Sequence, residues 1–211
     1  PLVEYDTMDK HPNGVLKGGW YIGPRDTGKE SVLDPFPYIV QGKQVWLTTL
    51  SVPIVVNGKF LGVAGTDYNL DFVQELSLQA DRGLFGGKAE ILIVSNMGLI
   101  VADSEKPELI GKPLAESVPG AIATTLLSEI QGGRSMASLD EASGQITALA
   151  PIALGRTGKP WSVMIKVHKD VVLADAYALD RDLADRSRSA VWWQVVVGLI
   201  VACAGTSFLW F

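Results

Sequence analysis

The chain has 211 residues, 47% hydrophobic and 19% charged, which supplies enough apolar material for a packed core and argues against disorder. A net charge of −5 argues against a nucleic-acid binder, whose surface must be basic. One cysteine, Cys203, and two histidines, His11 and His168, exclude an intrachain disulfide and leave no material for a Cys-based zinc centre.

Residues 1–19 are turn-rich, punctuated by Pro12, Asn13, Gly14, Gly18 and Gly19, and predict loop with at most a short strand. Trp20–Ile22 reads as a short strand, and Gly23–Pro37 as a loop broken by Pro24, Gly28, Pro35 and Pro37. Val45–Val52 is β-branched and aromatic, a strand that Pro53–Val56 continues to Asn57-Gly58. That pair suits a two-residue hairpin turn, because both positions need positive φ. The return strand runs Lys59–Asp67, with Gly62 and Gly65 marking a bulge or a close approach.

Leu70, Val73, Leu76 and Leu78 predict a linking helix, capped by Asn69 or Asp71 and ended by Gly83. A second β unit starts at Ala89: a strand over 90–94, a turn at Asn96-Met97-Gly98, and a return over 99–102. Residues 104–120 read as loop with a short helix, and Ala121–Ile130 as a helix stopped by Gly132-Gly133. Strands follow over Gln145–Ile152 and Trp161–Val167, joined by Gly155–Gly158. Pro53-Ile54 with its hairpin is weakly echoed by Pro151-Ile152 with its own.

From Lys169 the pattern is helical, with Val172, Leu173, Ala176, Leu179 and Leu183 on one face. Residues 190–211 are uncharged over 22 positions, with Trp192 and Trp193 at one end and Trp210 at the other. A bilayer needs about 20 apolar residues in a helix, and aromatics favour its interfaces. One continuous helix running from the domain into a transmembrane span is expected. The far flank of the span lies outside the sequence, so charge alone leaves its orientation open. The absence of an initiator Met and the stop within the apolar run predict a piece of a longer protein.

Gly23-Pro24-Arg25-Asp26-Thr27-Gly28-Lys29 has the spacing of a phosphate-binding loop. Glu30 stands where magnesium needs Ser or Thr, and Pro35 and Pro37 forbid the helix whose amides would hold phosphate. No nucleophile elbow or paired catalytic base is visible, and nothing calls for an enzyme, a metal or a cofactor. Binding is better supported. Trp20, Tyr21, Phe36, Tyr38 and Trp46 can build an aromatic box with Asp67 as its charge. Aromatic faces and a carboxylate suit an ammonium group. Trp46 and Phe60 are assigned to packing, and Trp20, Tyr21, Phe36, Tyr38 and Asp67 to the ligand pocket.

Trp20-Tyr21, Pro24–Lys29, Asp34-Pro35-Phe36-Pro37-Tyr38, Thr49–Ile54 and Gly62–Asp67 together resemble the double Cache sensor domain of bacterial transmembrane receptors, of which methyl-accepting chemotaxis proteins are the largest group. Ile110–Leu114 is similar to the family's membrane-proximal module. The resemblance implies an α/β (α+β) chain of two tandem PAS-like modules with antiparallel sheets, followed by a long helix running into the span. The boundaries are a membrane-distal module over 1–77, a membrane-proximal one over 78–168, an exit helix over 169–189 and the span over 190–211. It places the sensor outside the bacterial cytoplasmic membrane, preceded by a long helix and a first span.

In the amino-acid-binding branch the contacts correspond to Trp20, Tyr21, Phe36 and Asp67. That branch has an arginine two residues before the Trp, where Gly18 stands here, and an Asp where Tyr38 stands. An amine or another small nitrogenous ligand therefore fits as well as an amino acid. The expected partners are this ligand, the membrane, a second copy in a homodimer, and cytoplasmic signalling proteins; the expected output is chemotaxis. The alternative is the same sensor controlling a histidine kinase or a diguanylate cyclase.

Overall fold

The computed structural model describes residues 5–174 and 177. The chain divides into a compact unit ending at His168 and a second beginning at Lys169.

The first unit opens with a turn closed by a bridge between Lys10 and Leu16. It leads into α1 (Gly19–Thr27), where the sequence predicts a strand over Trp20–Ile22 and a loop beyond it. The aromatic and β-branched run favours a strand locally, but tertiary packing overrides so weak a preference. The Gly18 carbonyl accepts from the amides of Tyr21 and Ile22 at 3.0 and 2.9 Å. Gly19 lacks the Cβ that would stand 2.6 Å from Leu33, so the helix can lie close to that residue. Pro24 interrupts the ladder, and the helix ends after nine residues at Gly28, which adopts φ 65°.

β1 (Ser31–Val32) and β2 (Phe36–Val40) lie on one side of β3 (Lys43–Val56), and β4 (Lys59–Asn69) lies on the other, all antiparallel. β2 is missed by the sequence reading because Pro37 argues against a strand. Here it pairs with Trp46 in an edge strand, where proline is tolerated. The expected hairpin is present, with Asn57 at φ 51° and Gly58 at φ 75°. Gly62 sits at φ 154° beside the register shift at Ile54/Val55, the bulge that its position announces.

α2 (Asp71–Phe85) begins where Asn69 Oδ1 accepts from the Asp71 amide at 2.9 Å. Gly83 does not end it; Gly86, at φ 62°, does. An internal glycine costs a helix only about 1 kcal/mol, and the left-handed position three residues on is the true stop. Gln74 is held against Asp103: its Nε2 donates to the Asp103 carbonyl at 2.6 Å and its Oε1 accepts from the Asp103 amide at 2.9 Å.

The second sheet has the order β6-β5-β9-β8-β7, from β5 (Ala89–Val94), β6 (Ile100–Asp103), β7 (Met136–Asp140), β8 (Gln145–Ile152) and β9 (Trp161–His168). Between β6 and β7 come two short 3₁₀ turns and α3 (Gly120–Gln131), stopped at Gly132 as expected. Only β7 escapes the sequence reading. The register forms rows across one face. Leu92, Met164, Leu149 and Met136 make an apolar row that packs with Leu126 and Ile130 of α3. Two residues along, Glu90, Lys166, Thr147 and Ser138 make a polar row.

Two hydrophobic clusters join the sheets. Leu99 packs with Val15, Leu33, Phe36 and Leu47. Val101, Ile110 and Trp161 pack with Leu70, Val32 and Trp46. Gly111, at φ 78°, carries no side chain because the Trp46 ring occupies that space; a Cβ would stand 2.1 Å from it. The α+β class with antiparallel sheets is therefore borne out.

In the second unit α4 (Lys169–Val172) follows β9 in sequence. The Leu173 amide donates to the Lys169 carbonyl and the Tyr177 amide to that of Leu173, both at 2.9 Å; residues 175–176 and 178–189 of the expected exit helix and the apolar run 190–211 lie outside the described residues. Among the described residues no helix is long and apolar enough to cross a membrane.

Candidate functional site

β3 and β4 alternate their side chains, so Thr49 and Asp67, directly opposed in the register, point to one face. Thr49 Oγ1 donates to Asp67 Oδ1 at 2.6 Å. Thr49 is buried and Asp67 exposed, so the hydroxyl holds the carboxylate from beneath. The same face carries Val63 and Gly65, and α1 and β2 wall it with Trp20, Phe36 and Tyr38. These groups surround a cavity of about 370 Å³, within the range of small-molecule sites.

Of the five residues selected from sequence, Trp20, Phe36, Tyr38 and Asp67 line this cavity. Tyr21 is not among the lining residues. Its ring meets Tyr5 edge-on at 5.1 Å, and Trp20 and Phe60 at 5.8 Å. The Arg25 guanidinium lies 5.8 Å from its centre. Trp46 packs into the inter-sheet core and Phe60 against Tyr21.

His11, Lys17 and Thr49 also line the cavity and are not selected from sequence. His11 stacks on Phe36 with ring centres 5.1 Å apart. Lys17 supplies a cation one residue before Gly18, where the resemblance looks for an arginine. An arginine at Gly18 does not fit this backbone, because a Cβ would stand 2.5 Å from the Thr7 carbonyl oxygen. The cavity thus combines an acid, a cation, an imidazole and the rings of Trp20, Phe36 and Tyr38. Among the described residues no group of three or more His, Cys, Asp or Glu side chains could hold a metal ion.

The phosphate-loop spacing at Gly23–Lys29 ends α1 and is followed by a strand. A phosphate site needs the start of a helix instead, and the motif carries no such role.

No family model matches the chain. Its fold is that of extracellular sensor domains. An extracellular domain assigned to the histidine kinase mmHK1S-Z2 matches with a TM-score of 0.61 and 24% identity, over 82% of this chain and 59% of that one. The ligand-binding domain of the Pseudomonas aeruginosa chemoreceptor PctC, solved with GABA, matches with a TM-score of 0.52 and 23% identity, over 75% of this chain and 66% of that one. In sequence the chain is 35% identical to methyl-accepting chemotaxis protein TlpQ of Pseudomonas aeruginosa, over 99% of its own length and 29% of TlpQ's. The chain is a homologue of part of a methyl-accepting chemotaxis protein, and the expected kinship with chemoreceptor sensor regions is borne out. It spans less than a third of the length of the curated relatives it matches.

Proposed function

We propose that this chain is the extracytoplasmic ligand-sensing region of a transmembrane chemoreceptor. The observation that carries the reading is the likeness to TlpQ over 99% of the chain, together with a sensor-domain fold. The protein acts as a receptor and not as an enzyme. Residues 1–77 and 78–168 are its distal and proximal PAS-like modules, 169–189 the exit helix and 190–211 the span, in a homodimer at the bacterial cytoplasmic membrane.

Trp20, Phe36, Tyr38 and Asp67 hold the ligand, with Tyr21 supporting Trp20 from behind. Asp67 takes an ammonium group by ion pairing while the aromatic faces add cation–π attraction. Lys17 also lines the cavity, and its ammonium charge suits an acidic group on the same molecule, so an amino acid is readmitted beside simple amines. Binding shifts the helix that leaves the sensor, to the extent that one helix position binds the ligand more tightly than the other.

The test is calorimetric titration of the 211-residue chain in detergent micelles with amines, amino acids and related nitrogenous compounds. Saturable binding of at least one, weakened tenfold or more by Asp67→Ala, is expected. Unchanged affinity in Asp67→Ala for every hit would falsify the pocket. A hybrid receptor carrying residues 1–211 in the matching part of TlpQ should then respond to the same compound. The second reading, a sensor coupled to a histidine kinase, rests on the fold match to mmHK1S-Z2. The sequence after Phe211 decides between them: a methyl-accepting helical hairpin or a kinase.

A further inference from the structure

The segment Glu30–Asp34 joins two walls of the Asp67 cavity. α1, which carries Trp20, ends shortly before it, and β2, which carries Phe36 and Tyr38, starts shortly after. At its centre is β1, only two residues long. The segment is also tied to the cavity in its middle. The Leu33 amide donates at 2.9 Å to the carbonyl of Thr49, the residue whose hydroxyl holds Asp67. The Leu33 side chain lies against Gly19, next to Trp20, where a Cβ would stand 2.6 Å from it.

Both ends of the segment are acids, and each accepts a backbone amide from a turn of the second sheet. Glu30 Oε1 accepts from the Arg156 amide in the β8–β9 turn, and Glu30 Oε2 meets the Arg156 guanidinium at 3.1 Å. Gly155 makes room for this carboxylate: a Cβ there would stand 2.5 Å from Glu30 Oε1, at a φ of 54°. Asp34 Oδ1 accepts from the Met97 amide in the β5–β6 turn at 3.2 Å, and the Ser95 hydroxyl also donates to Asp34. The two turns lie at one end of the sheet, where Val94 pairs with Ser162, and Asn96 Nδ2 joins them by donating to the Pro160 carbonyl at 3.2 Å. β9 runs from this end to His168, where α4 begins in sequence. Carboxylates make stronger hydrogen bonds to amides than neutral acceptors do. The Glu30 side chain is 20% exposed and that of Arg156 91%, so water screens the guanidinium pair and the amide bond is the firmer grip.

We propose that Glu30–Asp34 is the transmission element of the sensor. Filling the Asp67 cavity moves this segment, and Glu30 and Asp34 carry the movement to both turns of the second sheet and along β9 towards the exit helix. The two acids are positioning residues, and neither lines the Asp67 cavity. The inference rests on that cavity being the ligand site. Its test uses no ligand, so a failed binding titration and a failed transmission test are read separately.

Val63, on the cavity wall, is changed to Phe so that a ring occupies the cavity. Amide shifts of the 211-residue chain in micelles are compared with and without Val63→Phe in three backgrounds: wild type, Glu30→Ala and Asp34→Ala. The change caused by Val63→Phe within each background is the readout, so the direct effect of removing an acid cancels. Val63→Phe is expected to shift the amides of Met97, Arg156 and Val167. Glu30→Ala should shrink the Arg156 and Val167 responses about threefold or more and spare that of Met97. Asp34→Ala should shrink the Met97 response and spare that of Arg156. Arg156→Ala keeps the amide and should leave all three responses in place. Where Val63→Phe does not fold, Val63→Leu is the filler; where Asp34→Ala does not fold, Glu30→Ala and Arg156→Ala decide. No response beyond the first sheet, a response at Arg156 retained in Glu30→Ala, equal loss at both turns in either acid variant, or loss in Arg156→Ala would each overturn the proposal.

Discussion

At the scale of the residue, the opposition of Thr49 and Asp67 makes a graded prediction. Asp67→Ala removes the charge and should weaken an ammonium ligand about tenfold to a hundredfold. Thr49→Val removes only the 2.6 Å hydrogen bond that orients the carboxylate and should cost roughly threefold to tenfold. Calorimetric titration of both variants with one ligand checks the order. Asp67 was legible because it closes a strand after an aromatic string. Lys17 was not, because it lies in a turn-rich stretch with no periodicity, and the resemblance directed attention to Gly18 instead.

Glu90 and Asp103 pull the pH dependence of stability in opposite directions. Burial alone would raise the Glu90 pKa, but the hydrogen bonds from its ion-pair partners Lys166 and Lys106 outweigh that and depress it. Its contribution is therefore present above the ordinary glutamate range and is lost as pH falls through the depressed value. Asp103 is fully buried, and its Oδ2 has no hydrogen-bond partner among the described residues. Burial raises its pKa against the amide hydrogen bonds of Lys106 and Glu105, with the Glu90 charge adding to the rise. Its ionised form costs stability at neutral pH, and that cost is relieved as pH falls through the raised value. Asp103→Asn should therefore raise the urea midpoint at pH 7 and lose this advantage near pH 4. Glu90→Gln should destabilise by about 2 kcal/mol at pH 7, less than for a fully buried pair because Lys106 reaches solvent. The deficit should shrink in acid, where the wild-type carboxylate is itself protonated. Urea titrations at both pH values measure these differences.

At the scale of the element, the sequence succeeds where local chemistry and tertiary context agree. Asn57-Gly58 and Gly62 announce the β3–β4 hairpin and its bulge from backbone geometry alone. It fails where packing decides. α1 carries strand-forming residues and a proline, yet it is helical because Gly19 lets it settle on Leu33. β2 was hidden by Pro37, and its turn uses Gln41-Gly42 at φ 51° and 79°, a pair without the asparagine that marks such turns. β7, read as neither helix nor strand, exists because β8 supplies its partner. Gly111 gives the sharpest test of packing between elements. Gly111→Ala meets both the Trp46 ring and a positive φ, and should cost at least ~2 kcal/mol by urea denaturation. Gly18→Ala, which meets the Thr7 backbone, should cost about 1–3 kcal/mol and disturb the Lys17 side of the cavity.

At the scale of the whole molecule, the two modules of the sequence reading share hydrophobic clusters, and the residues up to His168 form one compact unit. This predicts one cooperative transition. Amides in β3 and in β9 should exchange with solvent at the same opening free energy; a difference of more than ~1 kcal/mol between the two sheets by native-state hydrogen exchange would contradict it. The two-sheet plan was legible because strands, turns and helices alternate in two blocks. The sharing of cores was not, since Leu99 and Trp46 look alike whether they pack within a sheet or between sheets.

β4 pairs with β3 along one edge only among the described residues. On β3, the Thr49 carbonyl accepts from the Leu33 amide on the β1 side and the Trp46 carbonyl accepts from the Leu70 amide on the β4 side. By alternation, the even residues of β4 bond to β3, while Val63, Gly65 and Asp67 turn their backbone groups outward. These three also line the Asp67 cavity. A molecule settling along that edge meets main-chain donors and acceptors that no side-chain substitution removes. Alanine scanning of the cavity will therefore leave a residue of affinity written in the backbone itself, and amide-to-ester replacement is the chemistry that can read it.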